Sequence, residues 1–167
     1  MNCELASYFE TQYFRQKWLW GIILMVESIL FIFIFPVLIS AYTDNFATIQ
    51  FLFVILIWLF FIVVFPLWIF LIRLDTQVRS GGIFLRFRYL HINWIVLPFS
   101  EITKAESITY NPLRDYGGWG IRYGPKGKAY NVHGNYGVLL TLIDGKKILI
   151  GSQDHLNFCS SVNQFLC

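Results

Sequence analysis

The chain has 167 residues, of which 56% are hydrophobic, 19% aromatic and only 14% charged, a balance that excludes an ordinary soluble domain. A formal net charge of +3 from scattered basic residues gives no support for nucleic-acid binding. Cys3, Cys159 and Cys167 have no C-x-x-C spacing and cannot all pair, so neither a disulfide scaffold nor a zinc site is suggested and a reducing compartment fits.

In chain order, residues 1–17 form a cytoplasmic or interfacial leader. It sets Leu5, Tyr8, Phe9, Tyr13 and Phe14 broadly along one helical face, which predicts either a helix lying at the membrane interface or a solvated extension of the next helix. Residues 18–74 are read as a transmembrane hairpin with spans at about 18–40 and 51–72, each long enough for a core of about 30 Å at about 1.5 Å per residue. The link between them is too short for anything but a helical hairpin. A cleaved signal peptide is the rival for the first span, but its leader carries Glu4 and Glu10 and its apolar run is too long. Arg15, Lys17, Arg73 and Arg79 flank the hairpin while the link has only Asp44, so both termini should be cytoplasmic.

Trp18, Trp20, Tyr42 and Trp68 lie near the predicted helix ends, where amphipathic rings suit headgroups, whereas Trp58 is deep enough to pack between helices. Pro36 and Pro66 each remove a backbone donor and predict local bends. Glu27 lies about 13 Å inward from Trp18, where a charged side chain costs about 2.5–3.5 kcal/mol. A protonated Glu27 bonding to Ser28, to a backbone carbonyl or to another subunit would resolve this.

From residue 75 onward the pattern becomes that of a small β-domain. Ile83, Leu85, Phe87 and Tyr89 alternate with Arg86 and Arg88, the period of a half-buried strand. Further strands are expected near 94–97, 102–110, 120–123 and 128–132, and residues 137–151 read as a hairpin about an Asp144-Gly145 type I′ turn. Phe158, Cys159, Val162, Phe165 and Leu166 mark a closing amphipathic helix, with Ser152 or Asp154 as its cap.

This order, a mainly antiparallel sheet followed by one helix, is that of a PH-like barrel. The runs at 111–122 (NPLRDYGGWGIR), 127–132 (GKAYNV) and 144–153 (DGKKILIGSQ), with the leader at 12–20 (QYFRQKWLW), resemble uncharacterised bacterial two-span membrane proteins with a C-terminal bacterial PH-like domain. The resemblance covers nearly the whole chain and implies that fold, but no activity and no catalytic residues.

Within 116–120, three glycines are costly unless the chain needs a special turn. The plain reading is a bulged hairpin with Trp119 folded over the barrel; the functional one is a presented anchor flanked by Arg114 and Arg122. The turn at 124–128 fails the phosphate-loop spacing, leaving Lys126 and Lys128 in a solvated turn or against anionic headgroups. His91, His133 and His155 are far apart with no H-E-x-x-H, and no G-x-S-x-G or paired-carboxylate element occurs, so no catalytic, cofactor-binding or metal-ligating residues are named and no enzymatic activity is expected.

The expected function is a membrane-anchored, non-enzymatic interaction or scaffolding module on the cytoplasmic face of a bacterial inner membrane. Its partners would be the lipid bilayer, with weak anionic-lipid contact, and a membrane protein or further copies of itself. The alternative is a subunit of a small oligomeric channel or transport assembly lined near Glu27, since two helices alone cannot enclose a pore.

Overall fold

A computed structural model describes residues 7–43 and 48–166, without the side chains of residues 41–51. Cys3, Glu4, Leu5, Asp44 and Cys167 lie outside the described residues, as does the side chain of Tyr42. The chain forms two compact units, one of residues 15–71 and the other of the residues up to Phe14 together with those from Ile72 onward.

The helical unit contains α1 (Lys17–Thr43), α2 (Thr48–Leu59), a π-helical turn (Phe60–Val64) and α3 (Phe65–Leu71). Two tracts are long and apolar enough to cross a membrane: Lys17–Ser40, of mean hydropathy 2.8, and Leu52–Leu71, of mean hydropathy 3.0. Almost none of either is buried within the molecule. Trp20 packs on Phe70 at 6.0 Å between ring centroids and Phe31 on Trp58 at 6.0 Å, an antiparallel pairing that puts Trp58 between helices. Pro36 is accommodated inside unbroken α1, whereas Pro66 follows the π-helical turn. With no N–H at Pro66 and a ring that would press on the carbonyl of Ile62, the widened turn relieves the conflict, and Phe65 N donates to Phe60 O.

The other unit departs from expectation at its first element. Residues Tyr8–Tyr13 form a strand, β1, not the predicted leader helix. It pairs antiparallel with β2 (Arg73–Arg79), Tyr8 opposite Val78 and Tyr13 opposite Arg73; β2 continues to β3 (Gly82–Arg88) and β4 (Ile95–Leu97). Period two was masked because polar residues occupy inward positions and act as links. Tyr8 Oη donates to Glu10 at 2.7 Å and meets Ser152 Oγ at 3.1 Å, and Gln12 Nε2 donates to Gly151 O at 2.7 Å. β2 was equally obscured, because Asp75 stands between Arg73 (3.3 Å) and Arg86 (3.5 Å) and accepts from Thr11 Oγ1 at 3.0 Å, a charged cluster inside a strand.

The second sheet comprises β5 (Ile102–Thr109), β6 (Gly120–Gly124), β7 (Gly127–Asn131), β8 (Tyr136–Leu142) and β9 (Lys147–Gly151), in the order β5-β8-β9-β7-β6. All its pairings are antiparallel except β7 with β9. The two sheets do not close into the expected barrel: among the described residues the first ends at β1 and β4 and the second at β5 and β6. Pro98 and the 3₁₀ turn Phe99–Glu101 move the chain from one sheet to the other. The β8–β9 hairpin forms as predicted, but Asp144 keeps a negative φ, so its turn is not type I′.

A shared core joins the sheets through Leu74, Leu85 and Phe87 from the first, Val138, Leu140 and Ile150 from the second, and Phe158 and Val162 from α5 (His155–Asn163). Asp154 is the N-cap residue of α5, though its carboxylate takes the Asn157 amide (2.8 Å) rather than a backbone N–H. Tyr8 of β1 stacks on Phe158 at 5.0 Å, tying the first strand to the last helix.

Candidate functional site: a lysine-rimmed cleft on the second sheet

The face of the second sheet turned away from the shared core carries its own small apolar cluster of Tyr110, Tyr116, Ala129 and Leu149, with Ile108 and Leu139 against it. A short helix, α4 (Pro112–Tyr116), takes part in it. Asn111 caps α4 by accepting from Arg114 N at 3.0 Å, Pro112 occupies its first turn, and Gly117 ends it at φ 76°. Asn-Pro followed by glycine was the unread signal for this helix. Gly117 and Gly118 therefore serve a helix terminus, with Gly118 N donating to Pro112 O at 2.8 Å, and Gly120 opens β6, in place of the expected bulged hairpin. Gly124 lets α4 approach, since a Cβ there would lie 2.3 Å from Asp115 O.

Beside α4 lies an open cleft of about 890 Å³. Ile108 and Leu139 give its lining an apolar side, Tyr116 and Tyr123 an aromatic one, and Lys126, Lys128, Lys146 and Lys147 its cations. The parallel pairing of β7 with β9 brings two lysine-bearing turns, 124–127 and 144–147, side by side.

Asp115, only 6% exposed, organises one edge. Its carboxylate accepts from Asn111 N at 2.9 Å, and Lys126 Nζ lies 3.1 Å and Arg114 Nε 3.6 Å away. The Asn111 amide first, and then Lys126, hold it below the usual carboxylate range. Lys128 Nζ stands 5.1 Å from the Tyr123 ring centre and 4.7 Å from that of Tyr130. Partial burial works against its charge, but the tyrosines outweigh it and its pKa is raised. Lys146 pairs with Asp144 at 2.6 Å. Tyr116 is buried, which raises its hydroxyl pKa, and its Oη has no hydrogen-bond partner among the described residues.

The residues singled out from the sequence fall into separate groups. Arg114 and Lys126 meet at Asp115, and Lys128 is held by tyrosines. Arg122 Nε donates to Trp119 O at 2.9 Å, while half-buried Trp119 donates its indole N–H to Gly134 O at 3.4 Å. Tyr123, Lys146 and Lys147 were missed, because only the parallel ladder reveals that the two turns are neighbours, and Asp115 was missed together with the helix that carries it. In the helical unit, Ser28 Oγ donates to Leu24 O at 2.8 Å within its own helix. Glu27 Oε1 and Trp58 Nε1 are buried without hydrogen-bond partners among the described residues. The ring contacts of Trp20 and Phe31 put Glu27 level with the π-helical turn.

A model of a family of unknown function, DUF6141, matches residues 10–165. No curated protein and no solved structure matches the chain significantly.

Proposed function

We propose that this chain, which belongs to the family of unknown function DUF6141, is a membrane-anchored, non-enzymatic recognition module whose cleft takes an acidic, apolar-bearing segment of a membrane-protein partner. In this reading the helical unit spans a bacterial inner membrane twice, and a PH-like sheet unit works at the cytoplasmic face. The meander of four strands, the second sheet and the closing helix support the PH-like comparison. The pairing of Tyr13 with Arg73 supports an even number of crossings, since both ends of the apolar tract enter one sheet. The basic residues flanking the tract favour the cytoplasmic side.

The observation that carries the proposal is the cleft itself: lysines around an apolar wall form a surface for a ligand with carboxylates and apolar groups together. An acidic peptide containing Phe and Leu should bind the full-length protein in nanodiscs, and a peptide with its acids changed to Lys should not. The double variant Lys126→Glu, Lys147→Glu should weaken that binding by about tenfold or more, near 1.4 kcal/mol. Equal binding of both peptides would sink the reading.

A second reading is favoured by the unpartnered Glu27 and Trp58: several copies associate through their hairpins, with Glu27 at the contact, as a channel or transport assembly would require. Native mass spectrometry of Glu27→Gln and Glu27→Leu separates the two readings. Loss of a multimer in the Leu variant alone supports assembly through Glu27, and a monomer throughout removes it.

A further inference from the structure

The loop between β3 and β4, residues 89–94, is apolar at its tip yet exposed. Ile92 is 96% exposed, Tyr89 56% and Leu90 46%. Among the described residues Tyr89 is the non-glycine residue with a positive φ, 69°, a conformation that costs energy for a bulky side chain. The loop is pinned: the amides of Leu90 and His91 both donate to Phe87 O, at 3.1 and 2.8 Å, and Phe87 N donates back to His91 Nδ1 at 3.2 Å. Burial, and then the charge of Lys128, lower the His91 pKa and favour the neutral ring that this acceptor role requires. The tip is therefore held outward in a defined turn.

Its place in the sheet supplies the occupant. Arg88, the last residue of β3, stands opposite Arg73, and Arg73 stands opposite Tyr13. This row is the end of the sheet where the chain enters from and departs to the apolar helices. Only Ile72 separates Leu71, the last residue of α3, from Arg73, about 3.5 Å of extended chain per residue. Exposed Arg88 lies beside the Tyr89 ring, 5.8 Å from its centre, placing a cation next to the apolar tip.

We propose that residues 89–92 dip into the interfacial layer of the bilayer that the hairpin spans, with Leu90 and Ile92 entering the acyl boundary, Tyr89 at headgroup level and Arg88 on an anionic headgroup. Tyrosine suits that depth and arginine that charge. The inference rests on the membrane-spanning reading of the helical unit, and is independent of what the cleft binds.

The test uses full-length protein in vesicles of phosphatidylcholine and phosphatidylglycerol, on a background in which Cys3, Cys159 and Cys167 are serine. A single cysteine is introduced by Ile92→Cys, Leu56→Cys or Leu156→Cys and carries an environment-sensitive fluorophore. Leu56 is an exposed residue of α2; Leu156, 66% exposed, is on α5, whose Phe158 packs on Tyr8 at the opposite end of β1 from Tyr13. Spin-labelled lipids should quench the labels at 56 and 92, with blue-shifted emission, and spare the label at 156. Quenching at 56 with none at 92, or with equal quenching at 92 and 156, overturns the loop proposal and leaves the spans standing. No quenching at 56 removes the spanning reading and the loop proposal with it.

Discussion

The two units place the same kinds of side chain in opposite directions. In the helical unit Phe33 is 71% exposed and Ile32 66%, while in the sheet unit Leu74, Leu85 and Phe87 are fully buried. Polar groups do not follow the same division: the sheet unit ties Asp75 and Gln12 Nε2 to partners that join strands, but Gln12 Oε1 and Tyr116 Oη there, like Glu27 Oε1 in the helical unit, are buried without a hydrogen-bond partner among the described residues. Burial inside the chain stabilises one unit, and the other leaves its apolar surface facing outward.

The sharpest way to break this comparison is a matched pair of truncations. Phe158→Ala, at a fully buried ring stacked on Tyr8, should destabilise the sheet unit by about 3–5 kcal/mol. Phe33→Ala should leave that unit within about 0.5 kcal/mol of wild type. Urea unfolding of both full-length variants in detergent micelles checks this, and similar losses would show that the two units do not differ as described. Asp75→Ala comes next, because it leaves Arg73 and Arg86 facing each other without their carboxylate. The arginines are roughly a quarter exposed, so the loss should be about 2–3 kcal/mol, below the range for fully buried pairs. The same unfolding curves measure it.

Trp119→Ala should cost about 1–2 kcal/mol, since the ring is half-buried and the hydrogen bond of its indole N–H to Gly134 O is long. A shift as large as that of Phe158→Ala would make Trp119 a core residue. The smallest effect is one that fades in acid. The Asp115 carboxyl is depressed in the folded state, so its contribution is complete above the ordinary carboxylate pKa of about 3.9 and is lost as pH falls through the lower folded value. Asp115→Asn should therefore lower the melting temperature at pH 6 and narrow its gap to wild type on going to pH 3. A gap that stays constant with pH would contradict the assignment.

Much of the fold was legible because apolar period governs it. The two apolar tracts, β3 through β9 and the terminal helix all lie near their expected positions. What was hidden had polar residues where a pattern reader looks for apolar ones: Glu10 and Gln12 inside β1, and Asp75 between arginines inside β2. The cleft was half legible. Lys126 and Lys128 stood out as a basic turn, but their neighbours Lys146 and Lys147 come from a hairpin nearly twenty residues on, through a parallel pairing that no local spacing announces.

The separation of β1 from β2 by the whole helical tract also fixes an order of events during synthesis. β1 emerges first but has no partner until both apolar helices have been made and Arg73 has followed them. Closing a flexible loop of that length would cost roughly 3–4 kcal/mol in chain entropy. In the proposed spanning reading, a hairpin already inserted with its two ends on one side would remove much of that cost. Under that reading, insertion would be the step that licenses the first sheet to zip, and a fragment cut after the helices would lose Tyr8 and Gln12, leaving Phe158 and the Gly151 carbonyl without the strand that covers them.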